Sequence, residues 1–111
     1  MLIKKISSKK VKIGKKDYTE SVAVSSEGYI FSWSAKKDRL TKKELKPFLE
    51  RGPEVIIVTK TSNLSKIDQN LQELLKEKGV LLLFDELNEA INSFNLMVKK
   101  KKKAILFLDL K

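Results

Sequence analysis

The residues best able to do chemistry in this chain fall in two short polar stretches, Lys60-Thr61-Ser62 and Asp85-Glu86. An amine beside hydroxyls, with two carboxylates in reach, has the parts for lysine-based nucleophilic catalysis or for cradling an anion. The same residue types also cap helices and solvate loops, and so short a motif is more often used that way. Caps and a solvated loop are therefore the expectation, all the more because Asp85 and Glu86 would repel an anion from their own helix end. Other chemistry is largely closed off. The 111 residues include no histidine and no cysteine, which removes the usual general base, the commonest zinc ligand, thiolates and disulfides. No metal and no cofactor is expected. Neither the P-loop pattern nor the Gly-x-Gly-x-x-Gly fingerprint occurs, and the segment after Val58 holds no glycine to bring backbone amides close to phosphate.

Both stretches take their position from apolar runs. Val55-Ile56-Ile57-Val58, Val80-Leu81-Leu82-Leu83-Phe84 and Ala104-Ile105-Leu106-Phe107-Leu108 are continuous rather than alternating, as strands covered on both faces are. Helix-period segments separate them, so the second half is predicted to be β-α-β-α-β with three parallel strands. Ligands in such sheets gather outside the carboxyl ends of the strands, which puts Lys60 and Asp85 in one crevice. Ser65-x-x-Asp68 is expected to open a helix with Ile67, Leu71, Leu74 and Leu75 on its apolar face, and Gly79 to end it. Asp85 is expected to cap the next, which carries Leu87, Ala90, Ile91, Phe94 and Val98 at 3.6 spacing. Earlier, Thr41-Lys42-Lys43-Glu44 is a capping box with Leu40 and Leu45 as its hydrophobic staple, and Pro47 predicts a kink or a restarted helix. About three helices result.

The first half reads as β-structure. Val11-Lys12-Ile13 and Tyr18 point to a short strand, and the lysine-rich start alternates as a strand does. Ser21 to Ser34 predicts a hairpin about a two-residue turn at Glu27-Gly28, pairing Val24 with Phe31 and Val22 with Trp33. That register places Val22, Val24, Phe31 and Trp33 on one core-facing side. Gly28-Tyr29-Ile30-Phe31-Ser32-Trp33 has the aromatic content of an RNA-binding strand. It lacks the basic residue at Glu27 and the apolar one at Ser32, so the rings are expected inside.

The formal charge is +10, and its distribution is uneven. Residues 1–16 hold seven lysines and no acid, and Lys99, Lys100, Lys101, Lys102 and Lys103 form an unbroken run; residues 17–98 carry 11 basic and 13 acidic side chains. If the N-terminal strand lay beside the run, twelve lysines would form one patch able to attract nucleic acid or an acidic membrane. No arginine or aromatic ring is interleaved, so base readout is not expected. The run is expected at the edge opposite the crevice. No apolar stretch approaches the roughly 20 residues of a membrane span, and the lysines that follow Met1-Leu2-Ile3 leave no secretory apolar core. One domain over residues 1–111 in a reducing, cytoplasmic setting is expected.

Further residues give the layout a resemblance. Tyr18 with the Ser21–Val24 strand, Gly28, Trp33, Pro53-Glu54-Val55-Ile56-Ile57-Val58, Asn88-Glu89-Ala90 and Phe94-Asn95 are its carriers. From about Val11 to Leu108 the chain resembles a small α/β domain family of poorly defined function. That family includes archaeal and bacterial proteins, the adipogenesis-associated cytosolic protein and mitochondrial respiratory complex I assembly factor three. The resemblance implies a mixed central sheet with an added β-hairpin layer. It also implies action through protein contacts rather than catalysis, with Asn95 fixing a helix end or facing a partner. One departure is that the family commonly has a Gly-x-Gly turn where this chain has Lys60-Thr61-Ser62, which withdraws support from any small-molecule role attached to that turn. A non-enzymatic interaction or assembly module is thus the leading expectation, with electrostatic nucleic-acid binding as the alternative.

Overall fold

Val55 to Thr59 and Ala104 to Leu108 are buried at every position, and they lie side by side. The computed structural model describes residues 2–33, 39–61 and 64–110. The chain begins with β1 (Ile3–Ser7), β2 (Lys10–Ile13) and β3 (Lys16–Tyr18), which form a three-stranded antiparallel sheet. Next come β4 (Val22–Ser25), β5 (Ile30–Ser32), the two-residue β6 (Arg39–Leu40) and helix α1 (Lys42–Leu49). After them follow β7 (Val55–Thr59), β8 (Lys66–Ile67), α2 (Gln69–Glu77), β9 (Leu81–Asp85), α3 (Leu87–Lys99) and β10 (Ala104–Leu108). The main sheet has the order β5-β4-β10-β7-β9, and β6 pairs with β8 in a small parallel ladder.

The three apolar runs do stand together and point the same way: β7 is parallel to β10 on one side and to β9 on the other. β4 adds antiparallel to β10, so the sheet is mixed. Its side chains feed two cores in alternation. Val55 and Ile57 join Val24 and Leu106 against Ala90, Ile91 and Phe94 of α3, with Ile3, Val11 and Ile13 of the small sheet closing that side. Ile56, Val58 and Phe107 face the other way, toward Leu45 of α1 and Leu71 and Leu75 of α2. Phe107 meets the rings of Phe48 and Trp33 edge-on at centroid distances of 4.9 and 5.1 Å. Burying an aromatic or aliphatic side chain of this size contributes about 1.5–3 kcal/mol. β9 departs from the pattern. As the last strand of the sheet it is only half-buried, and Leu81 is 54% exposed. Among the described residues no helix is long and apolar enough to cross a membrane.

Four local expectations change. The hairpin register is one residue off: Val22 pairs with Ser32, Ala23 with Phe31 and Val24 with Ile30. The loop has three residues, not two. The Gly28 N–H donates to the Ser25 carbonyl at 2.9 Å and the Ser25 N–H to the Tyr29 carbonyl at 2.8 Å, while Gly28 takes φ 101°. This is a turn closed by a glycine bulge, and the extra residue shifts every pair. Phe31 and Trp33 consequently pack on the α1/α2 side with Ala23, away from Val22 and Val24. Second, α2 starts at Gln69 behind Asp68, because Lys66 and Ile67 are taken up by β8. Third, Glu86 rather than Asp85 is the N-cap of α3, since Asp85 still pairs with Thr59. Fourth, α1 runs unbroken through Pro47 from its Thr41/Glu44 capping box, where the Glu44 carboxylate accepts the Thr41 N–H at 3.0 Å.

Helices α2 and α3 end in the same way. In α2 the Gly79 N–H donates to the Lys76 carbonyl (3.1 Å) and the Val80 N–H to that of Leu75 (2.9 Å). In α3 the Lys101 N–H reaches Val98 (3.1 Å) and the Lys102 N–H reaches Met97 (3.0 Å). Both are Schellman caps, and both need a left-handed residue: Gly79 at φ 70° and Lys101 at φ 56°. A lysine pays for that conformation in steric energy where glycine does not. Lys101→Gly is expected to raise the unfolding free energy by about 1 kcal/mol in urea titration, whereas Lys102→Gly next to it brings no gain.

Candidate functional site

The crevice at the carboxyl end of the main sheet forms as its strands require. Because Thr59 pairs with Asp85, the next N–H, that of Lys60, donates to the Asp85 carbonyl at 2.7 Å. Lys60 is exposed, with its ammonium 5.9 Å from the centre of the Phe84 ring. Lys60, Thr61 and Glu86 line a cleft of about 560 Å³ together with Lys5, Ser8, Lys9, Asp109 and the first turn of α3. Asp85 stands at its edge through the backbone and is not among the lining residues. Ser62 lies outside the described residues.

Asp109 is the residue that sequence reasoning missed. It is 8% exposed, at the end of β10. One carboxylate oxygen accepts the Ser21 hydroxyl at 3.1 Å and the other accepts the Thr61 hydroxyl at 2.6 Å. Its N–H donates to the Thr59 hydroxyl at 2.8 Å, which itself donates to the Phe107 carbonyl at 3.2 Å. The Leu64 N–H returns to Thr61 Oγ1 at 3.0 Å, and the Leu110 N–H to Ser21 Oγ at 3.2 Å. A charged group can be buried when its oxygens are satisfied in this way. The network ties the ends of β7 and β10 to the start of β4. The visible signal was an acid set inside Leu108-Asp109-Leu110, where composition alone asks for another apolar residue.

Chemically the cleft is balanced. Three ammonium groups (Lys5, Lys9, Lys60) face three carboxylates (Glu86, Glu89, Asp109), and Glu86 and Glu89 already complement the α3 N-terminus. An amine nucleophile is activated by burial, and Lys60 is exposed.

The lysine run has a structural assignment. Lys99 ends α3, Lys100 is its C-cap, Lys101 and Lys102 close the Schellman motif, and Lys103 enters β10. The Lys103 N–H donates to Glu54 Oε2 at 3.1 Å, and its carbonyl accepts the Glu54 and Val55 N–H groups at 2.8 and 3.2 Å. Cationic side chains suit this end of a helix. Lys5 and Lys9 sit at the opposite end of α3, in the cleft. Thirteen helical residues, about 20 Å, lie between. The twelve lysines therefore do not form one patch. Lys10 and Lys12 instead approach Asp17 at 3.5 and 3.9 Å, exposed pairs of small energetic weight. Of the rings considered for base stacking, Tyr29 is exposed with Arg51 5.0 Å from its centre, while Phe31 and Trp33 are used internally. Trp33 Nε1–H donates to the carbonyls of Val22 (3.0 Å) and Leu108 (3.1 Å), and Phe31 packs against Phe48 at 5.4 Å.

Asn95 is half-buried and bonded within the chain. Its Oδ1 accepts the Ile3 N–H at 2.9 Å and its Nδ2 donates to the Ile3 carbonyl at 3.0 Å. The amide thus acts as one peptide unit of a neighbouring strand, satisfying the open side of β1 and fastening the small sheet to α3.

With this geometry in view, the chain belongs to a family described as proteins of unknown function (DUF498/DUF598), whose model matches residues 3–108. No curated protein matches the sequence. Solved structures do. XCC1710 of Xanthomonas campestris is similar with a TM-score of 0.78 at 11% identity, over 93% of this chain and 79% of that one. The conserved hypothetical protein PH1505 of Pyrococcus horikoshii OT3 gives 0.76 at 17% identity, over 100% and 99%. A Bordetella pertussis protein described as an Mth938-like domain gives 0.70 at 12% identity, over 96% and 84%. At such identities the likeness is one of fold.

The Asn95 clamp is testable. Removing the side chain leaves the Ile3 backbone groups without their partner, so Asn95→Ala is expected to cost about 1–3 kcal/mol of unfolding free energy in urea titration. Amide exchange at Ile3 should quicken with it. Unchanged stability would show that Asn95 is dispensable to the fold.

Proposed function

We propose that this member of the DUF498/DUF598 family is a cytoplasmic, non-enzymatic protein-interaction module, and that a partner chain docks along the open edge of β9. That edge carries the conclusion. β9 is the last strand of its sheet, and among the described residues no strand pairs with its outer side. The Leu81 N–H donates to the Glu54 carbonyl at 3.0 Å and the Asp85 carbonyl accepts from Lys60, so positions 81, 83 and 85 turn their backbone toward β7. In a parallel ladder the N–H and C=O of one residue point to the same side. Leu82 and Phe84 therefore turn theirs outward, offering two donors and two acceptors to an added strand. The side chains of Leu81, Leu82, Leu83 and Phe84 are exposed or only half-buried. Sheet edges are usually blunted by charge, proline or a bulge, and this one carries none before Asp85. Beside it runs a trench of about 930 Å³, with Leu82 and Phe84 on one wall and Ile67, Asp68, Asn70 and Gln72 on the other. Backbone pairing plus alternate side-chain pockets is how strand addition obtains affinity and specificity.

Two further points support the reading. The carboxylate at the centre of the crevice is engaged by Ser21 and Thr61, and the chain has no histidine or cysteine to act in its place. The resemblance to the adipogenesis-associated protein and to complex I assembly factor three points toward partnership rather than turnover.

A benzoyl-phenylalanine placed at Leu81 is expected to photo-crosslink one discrete polypeptide in the living host, whereas the same probe at exposed Glu20 captures none. Leu82→Pro removes an outward-facing donor without touching the β7 ladder, a position where edge strands tolerate proline. It should abolish capture while thermal unfolding remains cooperative. Equal capture from both positions, or full capture by the folded Leu82→Pro chain, would count against docking at β9.

A further inference from the structure

The α1/α2 layer contains a groove that no sequence motif announced. Its floor is aliphatic, made by Leu49 of α1 and Leu74 of α2, both only half-buried. Its rim is basic: Lys42, Lys43 and Lys46 rise from α1 and Lys78 from the end of α2, against the single acid Glu50. The enclosed volume is about 620 Å³. The salt bridges found among the described residues both involve Asp17, so none of these four ammonium groups is paired within them.

Two of the four lysines are placed against their own helix, whereas Lys46 and Lys78 lie near helix C-termini, which suit cations. Lys42 and Lys43 occupy the first two positions of α1, where the unpaired N–H groups favour acids. Lys42 and Lys46, four residues apart, share one side of the helix, a spacing at which like charges repel. Both local rules are broken beside an apolar floor, and an anionic group supplied from outside the chain would relieve both.

We propose that this groove docks an acidic amphipathic helix of a partner protein, its apolar stripe on Leu49 and Leu74 and its carboxylates on the lysine rim. The proposal rests on the interaction-module reading and adds the chemistry of a partner at a surface separate from β9. The eight residues of α1 span about 12 Å, so the contact covers about two turns of the incoming helix, enough for apolar anchors at i and i+4. Nucleic acid suits the groove less well, because the floor has no ring to stack a base on and the rim has no arginine fork. An anionic membrane suits it less well too, because the apolar atoms are recessed behind the lysines rather than raised above them.

The test uses the intact chain and a fluorescein-labelled helical peptide of about 12 residues, made of Glu, Ala and Leu with the leucines on one face. A second peptide has the same composition with the leucines dispersed around the helix. Anisotropy titration should show saturable binding of the first peptide, and binding of the second at least about tenfold weaker. Lys42→Glu with Lys43→Glu puts acids in the first turn, where the helix favours them, so the fold is kept while peptide affinity falls by at least about tenfold. Leu74→Gln should weaken binding comparably at unchanged charge. Leu82→Pro should bind the peptide as the parent does, which separates a failure here from a failure at β9. Equal affinity for the two peptides, indifference to the double charge reversal, or stronger association with phosphatidylglycerol vesicles or single-stranded DNA than with the peptide would overturn the proposal.

Discussion

The last strand of the chain fills the middle of its main sheet. β10 has β4 antiparallel on one edge and β7 parallel on the other, and both of its faces are buried. A backbone in that position cannot turn to water for its hydrogen bonds, so both neighbours must be in register at once. The rest of the molecule is arranged around this requirement. α3 and the small sheet cover one face, α1 and α2 the other, and Asp109 locks the far end by drawing Ser21, Thr59 and Thr61 together. The polar network thus closes the seam between β4, β10 and β7.

The long-range part of the fold was readable where burial is symmetrical. Ile56 and Leu106 lie in runs without alternation that are buried at every position, and that signals parallel strands enclosed by helices. Strong punctuation was readable as well, as in Thr41 with Glu44 or Gly79 after α2. The same symmetry hid the hairpin register. β4 is buried on both faces, so pairing Val24 with Phe31 or with Ile30 gives an apolar core either way, and only the loop decides. β8 was hidden because two residues of ladder leave no period to detect.

The crevice was half legible. That Lys60 and Asp85 would adjoin follows from two parallel strands ending together. That Lys5 and Lys9 would join them depends on how the small sheet lies along α3, and the Asn95 clamp that sets this pairs residues 92 positions apart. The lysine run posed a different difficulty. Five identical residues carry no internal landmark, so nothing in the sequence marks Lys101 as the one held left-handed. Charge drew attention to the run, whereas its backbone explains why the helix stops there.

The central position of β10 also bears on how the molecule is made. Every other described element precedes it, so a chain emerging from the ribosome holds β4 and β7 with their inner edges bare until the final strand is released. Contacts this distant in sequence form slowly, and unpaired apolar edges are what aggregation recruits in the interval. The seven lysines of residues 1–16 are already present on such an unfinished chain, and like charge on two copies opposes their association.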